Sequence, residues 1–151
     1  MIRTLVEIVG VVAVVISIVF VGMELRQNTD AVQTANHFSL LELNMGVNEY
    51  YYQYPKLAVV WDQIDAGDES KFTEEQRADA RQIRMMQFNI WEAAFYSHRS
   101  GQLDEELWRA WESSYLDYLK TVATREWWES RKDRFGISFQ HYIDGLILPG
   151  R

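Results

Sequence analysis

The chain has 151 residues, room for one domain beside a membrane segment, and it has no Cys, which excludes disulfides and thiol chemistry. Its net charge is −7, and before residue 24 the only charged side chains, Arg3 and Glu7, cancel, so the whole excess lies downstream. An acidic domain repels phosphate backbones and anionic lipid, which argues against nucleic acid as a partner and for a domain that stands off a bilayer.

The first element is apolar. Ile8 to Met23 is a run of 16 residues without a charge. With its flanks, Leu5 to Leu25 would span roughly 31 Å as a helix, close to a hydrocarbon core. Glu7 and Glu24 then fall near the two interfaces, where charge costs less than at the centre. Residues 1–25 are read as a transmembrane anchor touching lipid through residues 5–25, and residues 26–151 as a soluble helical domain. A cleaved signal peptide is one rival. It would need a small-x-small site soon after the run, and the nearest, Thr29-Asp30-Ala31, lies inside a continuing helical pattern. A helix buried in a soluble core is the other. Arg3 and Arg26 balance across the run, so the positive-inside rule selects no orientation.

Glu7, Gly10, Ala13, Ser17 and Glu24 recur at helical steps and share a face. Small residues let helices approach closely in lipid, so this face reads either as chance or as a surface for self-association or a membrane partner. Arg26, Gln27, Asn28 and Thr29 follow at once. They read as a snorkelling Arg with hydrated amides, or as a spot where the domain or a neighbouring subunit packs back on the helix, with Asn28 and Asn36 setting register.

The apolar rhythm continues as Leu25, Thr29, Val32, Asn36, Leu40, Leu43, Val47, Tyr50 and Tyr54. It predicts a long amphipathic helix that ends before Pro55. Pro55 suits the first turn of a second helix, Lys56 to Ala66, closed by Gly67. After a polar loop, Thr73-Glu74-Glu75-Gln76 is a capping box for a third helix that stops at Gly101. Apolar residues on more than one of its faces mark that helix as central to the core. Asp104 caps a fourth helix with Leu107 or Trp108, Trp111, Tyr115 and Tyr118 or Leu119, then Val122. Thr124 opens a fifth with Trp127, Trp128 and Phe135, and Ser138 a sixth with Phe139, Tyr142, Ile143 and Leu146. No alternating run bounded by strong turn pairs points to a sheet. The fold class is all-α: a transmembrane helix continuing into a long amphipathic helix, packed with a small helical bundle.

Three short patches carry a resemblance. Leu25-Arg26-Gln27-Asn28-Thr29 closes the apolar helix, and Gly101-Gln102-Leu103-Asp104-Glu105-Glu106-Leu107-Trp108 and Trp127-Trp128 follow later. In these the chain resembles a widespread bacterial family of small single-span membrane proteins of unknown function. The resemblance implies a bacterial inner-membrane protein, and it brings no catalytic residues with it.

The chemistry signals are thin. His37, His98 and His141 sit on three different predicted helices, without Glu-x-x-His or His-x-x-x-His spacing, so no metal or other cofactor is expected. Nucleophile-elbow and phosphate-loop motifs are missing. Asn89, Glu92, Tyr96 and Arg99 share a face of the third helix, either as a solvated face or as a polar network lining a pocket. Tyr51 and Tyr52 cannot both face inward with Tyr50, so an exposed aromatic patch is expected near the end of the long helix. The leading expectation is an interaction or scaffold module that engages a protein partner or itself. The alternative is a sensor or carrier of a small apolar ligand, which calls for a closed apolar pocket above about 300 Å³. An enzyme is the distant third.

Overall fold

The computed structural model describes residues 2–66 and 69–147. Six helices follow in order: α1 (Ile2–Gln53), α2 (Pro55–Asp65), α3 (Glu74–Arg99), α4 (Glu105–Leu116), α5 (Val122–Glu129) and α6 (Ile137–Ile147). Short 3₁₀ turns at Asp117–Lys120 and Lys132–Arg134 flank α5, and no strand occurs among the described residues.

The 52-residue α1 is continuous. No part of its apolar window is buried against the rest of the molecule, and by length and composition it can cross a membrane. A core helix of a water-soluble fold would be mostly buried, so that rival lacks support in the packing. Pro55 ends α1 and fills the first turn of α2, where a missing N–H costs nothing. The Gly67 expected to close α2 lies outside the described residues.

Thr73 caps α3 as expected. Its hydroxyl accepts from the Gln76 N–H at 3.2 Å, and the Gln76 side chain accepts from the Thr73 N–H at 2.9 Å. At the other end Gly101, with φ of 72°, makes the left-handed turn. Gln102 N–H reaches Ser97 O at 2.8 Å and Gly101 N–H reaches His98 O at 2.9 Å, the paired bonds of a Schellman stop. The Asp104 carboxylate accepts from the Glu106 N–H at 2.8 Å and starts α4.

Three boundaries depart from expectation. Thr121, not Thr124, caps α5, its hydroxyl accepting from the Thr124 N–H at 3.2 Å. Val122 therefore opens α5, where it is exposed, and does not extend the stripe of α4. Phe135 does not ride on α5. It ends the second 3₁₀ turn and still reaches the core. Helix α6 starts at Ile137, one residue before Ser138, a shift within the ordinary fraying of helix ends.

The core is largely aromatic and centred on α3. Trp91, Trp128, Phe139 and Ile143 are fully enclosed. Phe88 stacks on Trp128 at 5.3 Å, and Trp91 stacks on Tyr115 at 5.2 Å while meeting Phe139 edge-on at 5.8 Å. Each such side chain contributes about 1.5–3 kcal/mol by leaving water, with a further increment from ring geometry.

The inward stripe of α1 follows its apolar rhythm only in part. Leu40, Val47 and Tyr51 are buried, with Asn36, His37 and Asn44 half-buried between them, whereas Leu25, Val32, Leu43 and Tyr54 are exposed. Asn44, not Leu43, takes the turn between Leu40 and Val47 because the bundle meets this side of α1 with Trp111 and Ser114. Polarity alone could not reveal that Asn44 points at an indole.

Candidate interaction surface

The bundle grips α1 through its first turn after α3. Gln33 donates from Nε2 to Gly101 O at 3.0 Å. Asn36 donates from Nδ2 to Gln102 O at 3.2 Å and to Gln102 Oε1 at 3.0 Å. The contact lies one to two turns beyond the juxtamembrane segment. Arg26, Gln27, Asn28 and Thr29 are all exposed, and Thr29 bonds back to Leu25 O at 3.0 Å. The domain therefore does not pack on those four residues, and Asn36 serves an intrachain contact. Between Leu25 and Gln33 the helix rises about 12 Å, a spacing comparable to the Debye length over which an acidic surface feels anionic lipid.

Glu7, Gly10, Ala13, Ser17 and Glu24 are exposed along one side of α1. Ser17 donates to Ala13 O at 2.8 Å, so its hydroxyl needs no water. A Cβ on Gly10 would meet nothing, so the chain itself gives no reason for that glycine.

The four polar residues of α3 split into two pairs. Glu92 and Tyr96 converge on Gly136. The Glu92 carboxylate accepts the Gly136 N–H at 2.7 Å and so holds the start of α6. A Cβ on Gly136 would lie 2.3 Å from the Tyr96 hydroxyl. Asn89 is exposed, and Arg99 points outward over the Phe95 ring at 5.5 Å. Glu92 and Tyr96 thus both reach Gly136, and Asn89 and Arg99 lie outside that contact.

The polar contacts that do lie inside are others. Arg84, buried, donates from Nε to Thr124 Oγ1 at 3.2 Å and pairs with Glu69. Trp128 Nε1 donates to Asp144 Oδ1 at 2.8 Å, and the Tyr142 hydroxyl donates to Glu112 Oε1 at 2.6 Å. Burial raises the pKa of Tyr142, and the adjacent Glu112 carboxylate adds to the rise. Burial also raises that of Tyr115. Both phenols stay protonated at neutral pH; Tyr142 donates to Glu112, whereas the Tyr115 hydroxyl is buried without a hydrogen-bond partner. The histidines are dispersed: His37 faces α4, His98 stacks on Trp108 at 5.0 Å, and His141 is exposed. Among the described residues no three His, Asp or Glu side chains gather as a metal site.

Between α1, α2, α3 and α4 lies a notch of about 200 Å³ lined by Asn44, Asn48, Trp61, Gln87, Trp111, Ser114, Tyr115 and Tyr118. It is smaller and more polar than an apolar carrier requires. The larger hollows are open to the surface. One runs along α1 over Phe38, Leu41, Glu42, Met45, Gly46, Asn48, Glu49 and Tyr52. No family model, curated protein or solved structure matches this chain.

That trough on α1 is the prominent unpartnered surface of the aqueous part. Phe38 is 63 % exposed, Met45 67 % and Tyr52 87 %. Tyr51 turns inward and stacks on Trp61 at 5.3 Å while Tyr52 turns out, and the side chain of Tyr50 lies outside what is described. Phe38 and Met45 were not singled out by the apolar rhythm. Their spacing of seven from each other and from Tyr52 was the signal that could have found them.

Proposed function

We propose that this protein is a membrane-anchored interaction module. A single span at its N-terminus continues without a break into α1, and α1 holds an acidic helical bundle clear of the lipid surface. The resemblance carried by Leu25-Arg26-Gln27-Asn28-Thr29 is what supports a bacterial inner membrane as its location. The observation that carries the reading is the exposed apolar series Phe38, Met45 and Tyr52 on the same helix that crosses the membrane. Large side chains exposed in a row are costly in water and mark a surface that another protein covers.

The test uses the full chain extracted from its native membrane in mild detergent. Its protein mass is read by light scattering, for wild type and for Met45→Glu with Tyr52→Glu. Wild type should carry protein mass well above the 17.8 kDa of one chain. The double variant, with unchanged helical circular dichroism, should lose it. A wild-type particle of one chain alone would end this reading.

A further inference from the structure

The occupant of the α1 surface can be named. Phe38, Leu41, Met45, Asn48 and Tyr52 step by three, four, three and four residues, the spacing of a coiled-coil seam. Counted back in sevens, the same register passes through Thr34, Ala31, Gln27 and Glu24, then through Phe20, Ser17, Ala13 and Gly10. The small residues of the membrane segment and the exposed aromatics of the aqueous segment therefore lie on one seam, six heptads long from Gly10 to Tyr52. Of its 13 positions only Glu24 is charged, and Glu24 falls at the headgroup level.

The bundle takes only one edge of this seam, where Leu41 is half-buried against the core, and leaves Phe38, Met45 and Tyr52 exposed. It holds α1 by Leu40, Val47 and Tyr51, roughly a third of a turn away. Gly46 lies beside Met45 in the middle of the helix, where glycine is unfavourable, and a Cβ there would meet nothing in the chain.

We infer that α1 pairs with α1 of a second copy in a parallel, in-register, left-handed coiled coil that begins in the membrane at Gly10 and ends at Tyr52. This deepens the interaction reading above and rests on it. Three features favour a second copy over another protein. A shared span fixes both copies in the same direction and confines them to two dimensions, which raises their effective concentration. A seven-residue repeat kept across two solvents fits a partner with the same repeat at the same depth, which a second copy supplies automatically. At their exposures, Phe38, Met45 and Tyr52 from two copies remove on the order of 1,000 Å² from water before the membrane half is counted, about what a specific interface needs. Asn48 then faces Asn48 and can fix the register, as a lone polar residue does in such seams.

The native sequence has no Cys, so single-Cys variants report cleanly. Full-length Ser17→Cys, Phe38→Cys and Met45→Cys are oxidised in membranes beside Leu43→Cys, which is exposed but off the seam. Seam positions should form disulfide-linked dimers at least about tenfold faster than Leu43→Cys. Equal rates at all four, or no linkage at any, would overturn the pairing. A photo-reactive residue at Met45 in the native membrane separates this proposal from the reading beneath it. An adduct of two chains supports the second copy. An adduct with a different protein overturns the second copy and leaves the interaction module standing, and absence of any adduct removes both.

Discussion

Arg84 sits on α3 with its guanidinium enclosed, holding Thr124 on α5 and Glu69 in the segment before α3. Replacing it with Met should cost about 3–5 kcal/mol, because the Glu69 carboxylate would lose its partner in a largely dry site. Arg84→Lys should recover less than half of that loss, since an ammonium cannot span both acceptors. Urea unfolding of the two variants in micelles gives the comparison. The buried phenols set a limit at the alkaline end. Burial pushes Tyr51 from 10.0 up to about 12, a rise only partly opposed by the neighbouring Gln87 side chain. Burial likewise raises Tyr115 and Tyr142. A folded-state pKa above the unfolded one means stability that is complete below pH 10 and drains as pH climbs toward 12 and beyond. Phenolate absorbance near 295 nm and helical circular dichroism, followed together in a pH titration, should show part of the phenolate signal delayed until the helices melt. Complete ionisation of all tyrosines with the helices intact would contradict the burial described.

Gly101 ends α3 and, through its carbonyl, receives Gln33 of α1. Its left-handed backbone suits only a residue without a Cβ, so Gly101→Ala should cost about 1–2 kcal/mol, read as a lower denaturant midpoint with an unchanged slope. This stop was legible in the sequence, as were the capping box at Thr73 and the Asp104 cap, because each is a local code in which one side chain satisfies one backbone group. The contacts of α1 were legible only in part. Leu40 and Val47 face inward as the rhythm predicts, but Leu43 and Tyr54 face out, because the choice of inward stripe depends on where Trp111 and Trp61 arrive from other helices. For the same reason Glu92 and Tyr96 meet, while Asn89 and Arg99, which share their periodicity, do not. The partner that decides the matter is Gly136, distant in sequence and without a side chain to announce itself.

At the scale of the molecule, one rod organises everything else. Helix α1 joins an unburied apolar half to a half that carries the bundle on one side and the exposed Phe38, Met45 and Tyr52 on another. If the apolar segment spans a bilayer as proposed, the unbroken helix would make the bundle's height and rotation above it consequences of that segment. The most direct measurement is spin-label accessibility along α1 in the full chain reconstituted in liposomes, with single Cys placed at Val11, Val15, Phe20, Arg26 and Val32. The account predicts high oxygen and low water-soluble relaxant contact at the first three, a crossover near Arg26, and full water access at Val32. Water access at Val11 through Phe20 in the intact chain would contradict it.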